Sequence, residues 1–579
     1  MPLPLPPTIL LAAGGLAMVL GRLSPGRFSA MTGWYPLLAL LATACSLWGD
    51  PIQVLPVDPA IMTRSPWTND LLAVAEQWLV LLFGLGAVGL FFDAAPDQHQ
   101  PLNPCGFRLF VVGGLMLVAQ AHDFLALGMS LEIVSLATRG LWRCPRGSVA
   151  AERGSSEVTD ETLVTDETLL ADETLVTYKT LRKERSPAWL HWLASGWMWF
   201  GMALFTAVVQ TTQYDAIQRV LVDAYHPADA ERMAMDPSHW LLLAAGLIIL
   251  SLLGRMSLVP FSLGTRFDPQ RRSVLSTGFA LLSGHLAGSI ALVRLIGQEF
   301  VGLGQQLVVV LMVVSLASFL LTIILVVQGF SPGLPAIPRW LTALLLLHGS
   351  WLCVGLMPLA MELESPAVRW GALPGQTETL SLIVFSQFAS LLALIGTLGT
   401  LGHLARSGRD IQFLEELKGL GQVTPWAAVA LLVSLTSSIG LPGTAGFWGR
   451  WLMILSSYHV HIKSTSSIST PQSGIRFAVL VGMIATTFMV MASIRFAREM
   501  FLESPLARSK ARGAQGPLIA GLIAAMMTLV LGVVPQALLI PMQSMNSPRK
   551  VQPEGIPQGS GKNPSAFRSD FHSSGDFSE

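Results

Sequence analysis

The stretch LLVSLTSSIGLPGTAGFWGRW, residues 431–451, decides the fold. It begins as an apolar helix, and Gly440, Pro442, Gly443 and Gly446 then interrupt it. A break of this kind frees backbone carbonyls and amides at membrane depth. That is tolerated only inside protein or beside a water-filled cavity. A milder counterpart lies in the other half of the chain, where Arg255 is followed by Ser257-Leu258-Val259-Pro260-Phe261. Paired broken helices in two halves of one chain point to inverted repeats around a transport path.

Working outward, nearly all of the sequence consists of further apolar runs. Hydrophobic residues make up 52% and charged residues 12%, about half the charged fraction of soluble domains. The mean hydropathy is +0.56. A membrane-crossing helix needs about 20 apolar residues, and about fourteen segments approach that length. The expected class is therefore an all-α polytopic membrane protein with broken helices 7 and 12. Lys and Arg concentrate in alternate loops, which puts both termini on the outer side of a bacterial-type inner membrane. Met1 to Pro7 lacks the basic start of a cleavable leader, so the first run is expected to stay as a helix.

Several classes are excluded. Acidic and basic residues balance at 36 each, which gives no reason to expect a nucleic-acid partner. Cys45, Cys105, Cys144 and Cys353 are too scattered for a zinc site, an iron–sulfur cluster or a disulfide framework. No Rossmann or P-loop glycine pattern stands at a strand–helix junction. Residues 158–181 repeat VTDETL, VTDETL, LADETL and VTYKTL with a period of six, which fits neither a helix nor a coiled coil. The preferred reading is a solvated cytoplasmic insert; the rival is a docking site for a partner subunit.

Chemistry is expected where ionisable groups enter the apolar runs, because such groups are expensive in a bilayer. Glu132 is the leading case, with Arg255, His285, His348 and Arg450 as company. The row suggests movement of charge, most simply protons. Each member has a plainer alternative. Glu132 can neutralise a neighbouring helix, Arg255 and Arg450 can snorkel to the surface, and His285 and His348 can join helices by hydrogen bonds.

The motif GLPGTAGFWGRW resembles the twelfth-helix signature of the antiporter-like membrane subunits of respiratory complex I, nearest to the subunit N type. HDFLALGMSLEIVSL (122–136) is similar to the fifth-helix motif, RMSLVPFSL (255–263) to the seventh, LSGHLAG to the eighth, and IPRWLTALLLLHGSW (337–351) to the loop and helix that carry a histidine. The resemblance implies fourteen helices, with two inverted five-helix repeats at helices 4–8 and 9–13. It implies a proton path through Glu132, Arg255, His285 and Arg450, with His348 in the matching histidine position. Helix breaks fall at Pro260, Gly440, Pro442, Gly443 and Gly446. The family has lysine where this chain has Arg255, His285 and Arg450. Arginine stays charged, so His285 is the one central replacement suited to proton exchange near neutral pH.

The resemblance further implies a subunit of a multi-subunit translocase, NADH-quinone oxidoreductase, that couples quinone reduction to proton transfer. Such a subunit has no redox centre and no cofactor of its own; the complex uses NADH and quinone. Its partners are the other membrane-arm subunits and the lipid bilayer. The implied divisions are helices 1–3 in 1–104, a first repeat in 105–297 with the insert 150–186, a second repeat in 305–500, a last helix at 516–541 and a disordered tail at 542–579. Two rival readings remain: a cation/proton antiporter or hydrogenase-linked subunit of the same fold, and a non-pumping structural spacer of the membrane arm.

Overall fold

In a computed structural model the described residues are 4–23, 31–49, 67, 70–92, 103–143, 188–214, 216–217, 238–259, 261, 274–300, 303–330, 336–362, 374–405, 411–463, 470–505 and 514–540. The repeat insert, Pro260 and the tail lie outside them. The described chain is helical throughout. In order come α1 (Leu5–Leu23), α2 (Met31–Gly49), α3 (Leu71–Phe91), α4 (Asn103–Gln120), α5 (Phe124–Arg143), α6 (Ala188–Val209) and α7 (Ser238–Arg255). There follow α8 (Val274–Arg294), α9 (Gly304–Gly329), α10 (Ala336–Glu362), α11 (Pro374–Leu404), α12a (Pro425–Ile439), α12b (Ala445–Lys463), α13 (Thr470–Phe501) and α14 (Gln515–Val533). Among the described residues, nine helices are long and apolar enough to cross a membrane, and five further apolar helices are shorter. The chain is a multi-pass membrane protein.

Burial separates a centre from a rim. The apolar spans of α8, α10 and α11 are 94%, 94% and 89% buried, against 39–56% for the other six full-length spans. A helix apolar all round is a buried one. The rim helices instead turn Leu125, Phe200, Val313, Met483 and Ile523 outward, as lipid-facing residues would be.

Small residues set the closest approaches, as they do between membrane helices. Gly284 and Gly288 on α8 stand against the carbonyls of Arg255 and Leu252 on α7, where an added Cβ would come within 3.0 and 2.7 Å. Gly201 on α6 meets the Ala244 carbonyl of α7 in the same way, at 2.9 Å. The Ser251 hydroxyl donates to the Ala194 carbonyl at 2.6 Å and ties the same two helices together. Helices α6 and α8 are thereby drawn against α7.

Candidate functional site

The end of α7 is built by its backbone. Leu258 N–H donates to the Leu253 carbonyl and Ser257 N–H to the Gly254 carbonyl, both at 3.0 Å. These two bonds satisfy carbonyls that a helix end would otherwise orphan, and they require a left-handed residue between them. Ser257 takes that position, at φ 59°. Helix α7 therefore ends at Arg255. The break expected between Arg255 and Phe261 falls at Ser257, ahead of Pro260.

Arg255 does not snorkel. Its Nη2 donates to Glu132 Oε1 at 2.8 Å and to Ser195 Oγ at 3.3 Å, while Nη1 donates to the Leu131 carbonyl at 3.1 Å and to Ser135 Oγ. The arginine side chain is 8% exposed and the glutamate 23%, so the carboxylate retains access to one side. Helices α5, α6 and α7 each contribute to this pair.

Two contacts tie the neighbouring turns of α5 and α7 to α8. The Thr138 and Ser283 hydroxyls meet at 3.4 Å, which bridges α5 to α8 two residues before His285. His285 Nδ1 lies 3.5 Å from the carbonyl of Met256, the residue after Arg255. The Gly284–Gly288 spacing allows that approach, since both glycines face the last turn of α7.

His285 and His348 line one cavity of about 30 Å³ with Ser289, Ser386, Gln387 and Ser390. That volume holds roughly two waters. His348 Nδ1 and Ser390 Oγ are 3.0 Å apart. Buried in the same group, His348 Nε2 and both amide atoms of Gln387 have no hydrogen-bond partner among the described residues. Buried polar atoms are costly without partners, and a cavity of this size has room for water to reach them; Leu282, Leu286, Leu352, Leu391, Leu394 and Met453 form the rest of its wall.

On the far side of the cavity, α12b brings Gly449 against Ser386, where an added Cβ would meet the serine at 3.1 Å. Arg450 follows directly and is 7% exposed. It too does not snorkel: its Nη2 donates to the Ser438 carbonyl, back across the break, at the end of α12a. A cation is favourable at a helix C-terminus. Gly440, at φ 80°, ends α12a through Gly440 N–H to Ser437 O and Leu441 N–H to Thr436 O. Gly443 is left-handed as well, at φ 87°. Gly446 N–H donates to Ser437 Oγ at 3.2 Å, and its missing side chain lets the two half-helices touch. Pro442 lies in the exposed turn between them.

The structure thus brings Glu132 to Arg255, His285 to His348, and Arg450 to the edge of the same cavity. Sequence reading missed a further group. Arg294, wholly buried at the end of α8, donates from Nη2 to Asp70 Oδ2 at 3.2 Å and lies 3.8 Å from buried Glu76 on α3. The signal was present, since Glu76 and Arg294 interrupt apolar runs just as Glu132 does. The reading also passed over the polar lining of α11, where Ser386, Gln387 and Ser390 carry no formal charge.

Residues 373–476 match the family described as NADH:quinone oxidoreductase/Mrp antiporter, TM. Over those residues the chain is similar to antiporter-like membrane subunits. Over a longer span it is similar to subunit N. NADH-quinone oxidoreductase subunit N 2 of Roseiflexus castenholzii is 23% identical over 468 residues, covering 80% of this chain and 81% of that one. Among solved structures, a chain of respiratory complex I from Thermus thermophilus superposes with a TM-score of 0.62 at 18% identity, over 93% of this chain and 99% of that chain. A chain of the Mrp complex from Dietzia sp. gives the same TM-score and identity, over 93% and 95%.

Proposed function

We propose that this chain is a subunit N-type, proton-translocating membrane subunit of an NADH-quinone oxidoreductase. One observation carries the reading. The Glu132–Arg255 pair is joined across the α7–α8 contact to a cavity shared by two histidines. Protons enter at Glu132, whose carboxylate keeps some exposure. Redox-driven shifts in neighbouring subunits lengthen or shorten its pairing with Arg255. When the pair opens, Glu132 takes a proton; when it closes, the proton is released inward. The Thr138–Ser283 hydroxyls and the cavity then conduct it past His285 and His348. Arg450 stands at the far edge as a fixed charge.

Under this reading NADH and quinone are handled by other subunits, and this chain binds no cofactor of its own. Its partners are membrane-arm subunits and lipid. The membrane is a bacterial-type inner membrane with both termini outside. Fourteen membrane helices, with inverted repeats at helices 4–8 and 9–13, complete the proposal. In its support, α7 and α12a end through the same pair of backbone bonds. Residues 1–104 form a flanking unit, 105–297 and 305–500 the repeats, and 516–541 the last helix.

The test is purification of the tagged chain from its native membranes. Co-purification with NADH-oxidising subunits, and NADH-driven acidification of reconstituted vesicles, are expected. Recovery with antiporter subunits alone would overturn the assignment.

A further inference from the structure

The seam between α5 and α6 holds the Glu132–Arg255 pair, and its two ends are closed differently. The helices run antiparallel, so the contacts across the seam form a ladder. Phe124 meets Phe205, Gly128 meets Trp199, Ser135 and Ser195 are joined through Arg255, and Arg139 meets Trp192. Glu132 sits midway along this ladder, bonded to the same Arg255.

Toward the start of α5, aromatic rings fill the seam. Trp199 lies against Gly128, one turn from Glu132, where an added Cβ would meet the ring at 2.8 Å. Beyond it the Phe124 ring meets Phe205 at 5.2 Å and Tyr214 at 5.4 Å, and all three residues are no more than 1% exposed. Rings packed in this way leave few voids for water. On the outer flank, Met129 and Leu136 lie one turn either side of Glu132 on its own face, and both are more than half exposed. An apolar flank supplies no proton donor.

The other end is closed loosely. Arg139 lies two turns beyond Glu132 on the same face of α5, and its guanidinium covers the Trp192 ring at 4.2 Å. Trp192 is 64% exposed. A cation stacked on so exposed a ring is weakly held and can leave it without unfolding either helix. The stack adjoins the ion pair through the two serines that bond Arg255. Ser135 is one turn before Arg139 on α5, and Ser195 is one turn after Trp192 on α6. Past the stack comes the loop that carries Arg146 and Arg153.

We infer that the Arg139–Trp192 stack is the gate through which protons reach Glu132, admitting water from the membrane side of the basic loop between α5 and α6. The inference rests on the proposed transport function. With the guanidinium on the ring, Glu132 is cut off from that water. With the guanidinium swung aside, water enters past Ser195 and Ser135 and delivers a proton to the carboxylate. Arg139 keeps its own protons throughout, because arginine stays charged.

The experiment uses the assembled complex in proteoliposomes of known orientation. A water-soluble carbodiimide with an amine is added on one side or the other, and modification of Glu132 is read by peptide mass spectrometry. Labelling is expected from the basic-loop side alone. Trp192→Ala and Arg139→Gln separate the stack and should raise the labelling rate about twofold to fivefold, the factor that an exposed cation–π contact supplies. Trp192→Phe and Arg139→Lys keep a cation over a ring and should stay close to wild type. Labelling from the opposite side, an unchanged rate in both stack-breaking variants, or no labelling of Glu132 in either of them would overturn the gate. If Trp192→Ala fails to assemble, the half-buried Arg139→Gln decides. Proton translocation by Glu132→Gln is measured alongside. Undiminished pumping there would overturn the transport reading, whereas labelling that ignores side or stack would overturn the gate alone.

Discussion

The breaks after α7 and after α12a are closed by the same two backbone bonds, Leu258 to Leu253 and Ser257 to Gly254 in one, Leu441 to Thr436 and Gly440 to Ser437 in the other. Each break carries a buried arginine, yet the arginines are used differently. Arg255 precedes its break and pairs with a carboxylate on another helix. Arg450 follows its break and folds back onto the carbonyl of Ser438; no described carboxylate lies in ion-pair range of it. A pair between two side chains can open and re-form. A charge held by a helix end has no titrating partner. The first break is therefore suited to gating proton entry, and the second to fixing a local potential.

The largest expected contrast comes from removing each charge while keeping the volume. Arg255→Met leaves Glu132 without its cation, and loss of one partner from a buried pair costs about 3 kcal/mol or more. The lower end applies, because Glu132 keeps some exposure. Arg450→Met removes a charge that leaves only carbonyls behind, so stability should change by no more than about 1 kcal/mol. Thermal inactivation midpoints of the purified complex would separate the two; equal losses would erase the distinction between the breaks. A smaller effect is expected at Gly440, where an added Cβ meets both a left-handed backbone and the Arg450 side chain at 3.0 Å. Gly440→Ala should cost about 1–2 kcal/mol. At the corresponding point of the first break, Ser257 already bears that strain. Ser257→Gly should leave stability unchanged or raise it by about 0.5 kcal/mol, read as a higher inactivation midpoint.

The sequence disclosed the second break more fully than the first. Three glycines and a proline within seven residues announce a turn wherever they fall, and α12a ends at Ile439 as they require. Helix α7 is closed off by Ser257, which carries no such announcement; the left-handed turn there is held by bonds to Gly254 and Leu253 that only the folded chain displays. Glu132 and Arg255 were visible because charge inside an apolar run stands out. That Arg255 points inward, and not to a surface, depended on Ser195 and Ser135 from two other helices. His285 was legible as a residue type, but its place at the cavity depends on Gly284 and Gly288 admitting α8 against α7. Ser386, Gln387 and Ser390 look like ordinary helix polar residues until α8, α10 and α11 enclose them.

The entry step at the first break can be tested by replacing one oxygen. Glu132→Gln preserves the shape of the side chain and a hydrogen-bond acceptor for Arg255, but removes the exchangeable proton. In proteoliposomes containing the assembled complex, proton uptake and NADH oxidation are followed together. A fall of about tenfold in protons moved per NADH is predicted, with subunit content unchanged. Undiminished pumping by the assembled variant would contradict the account.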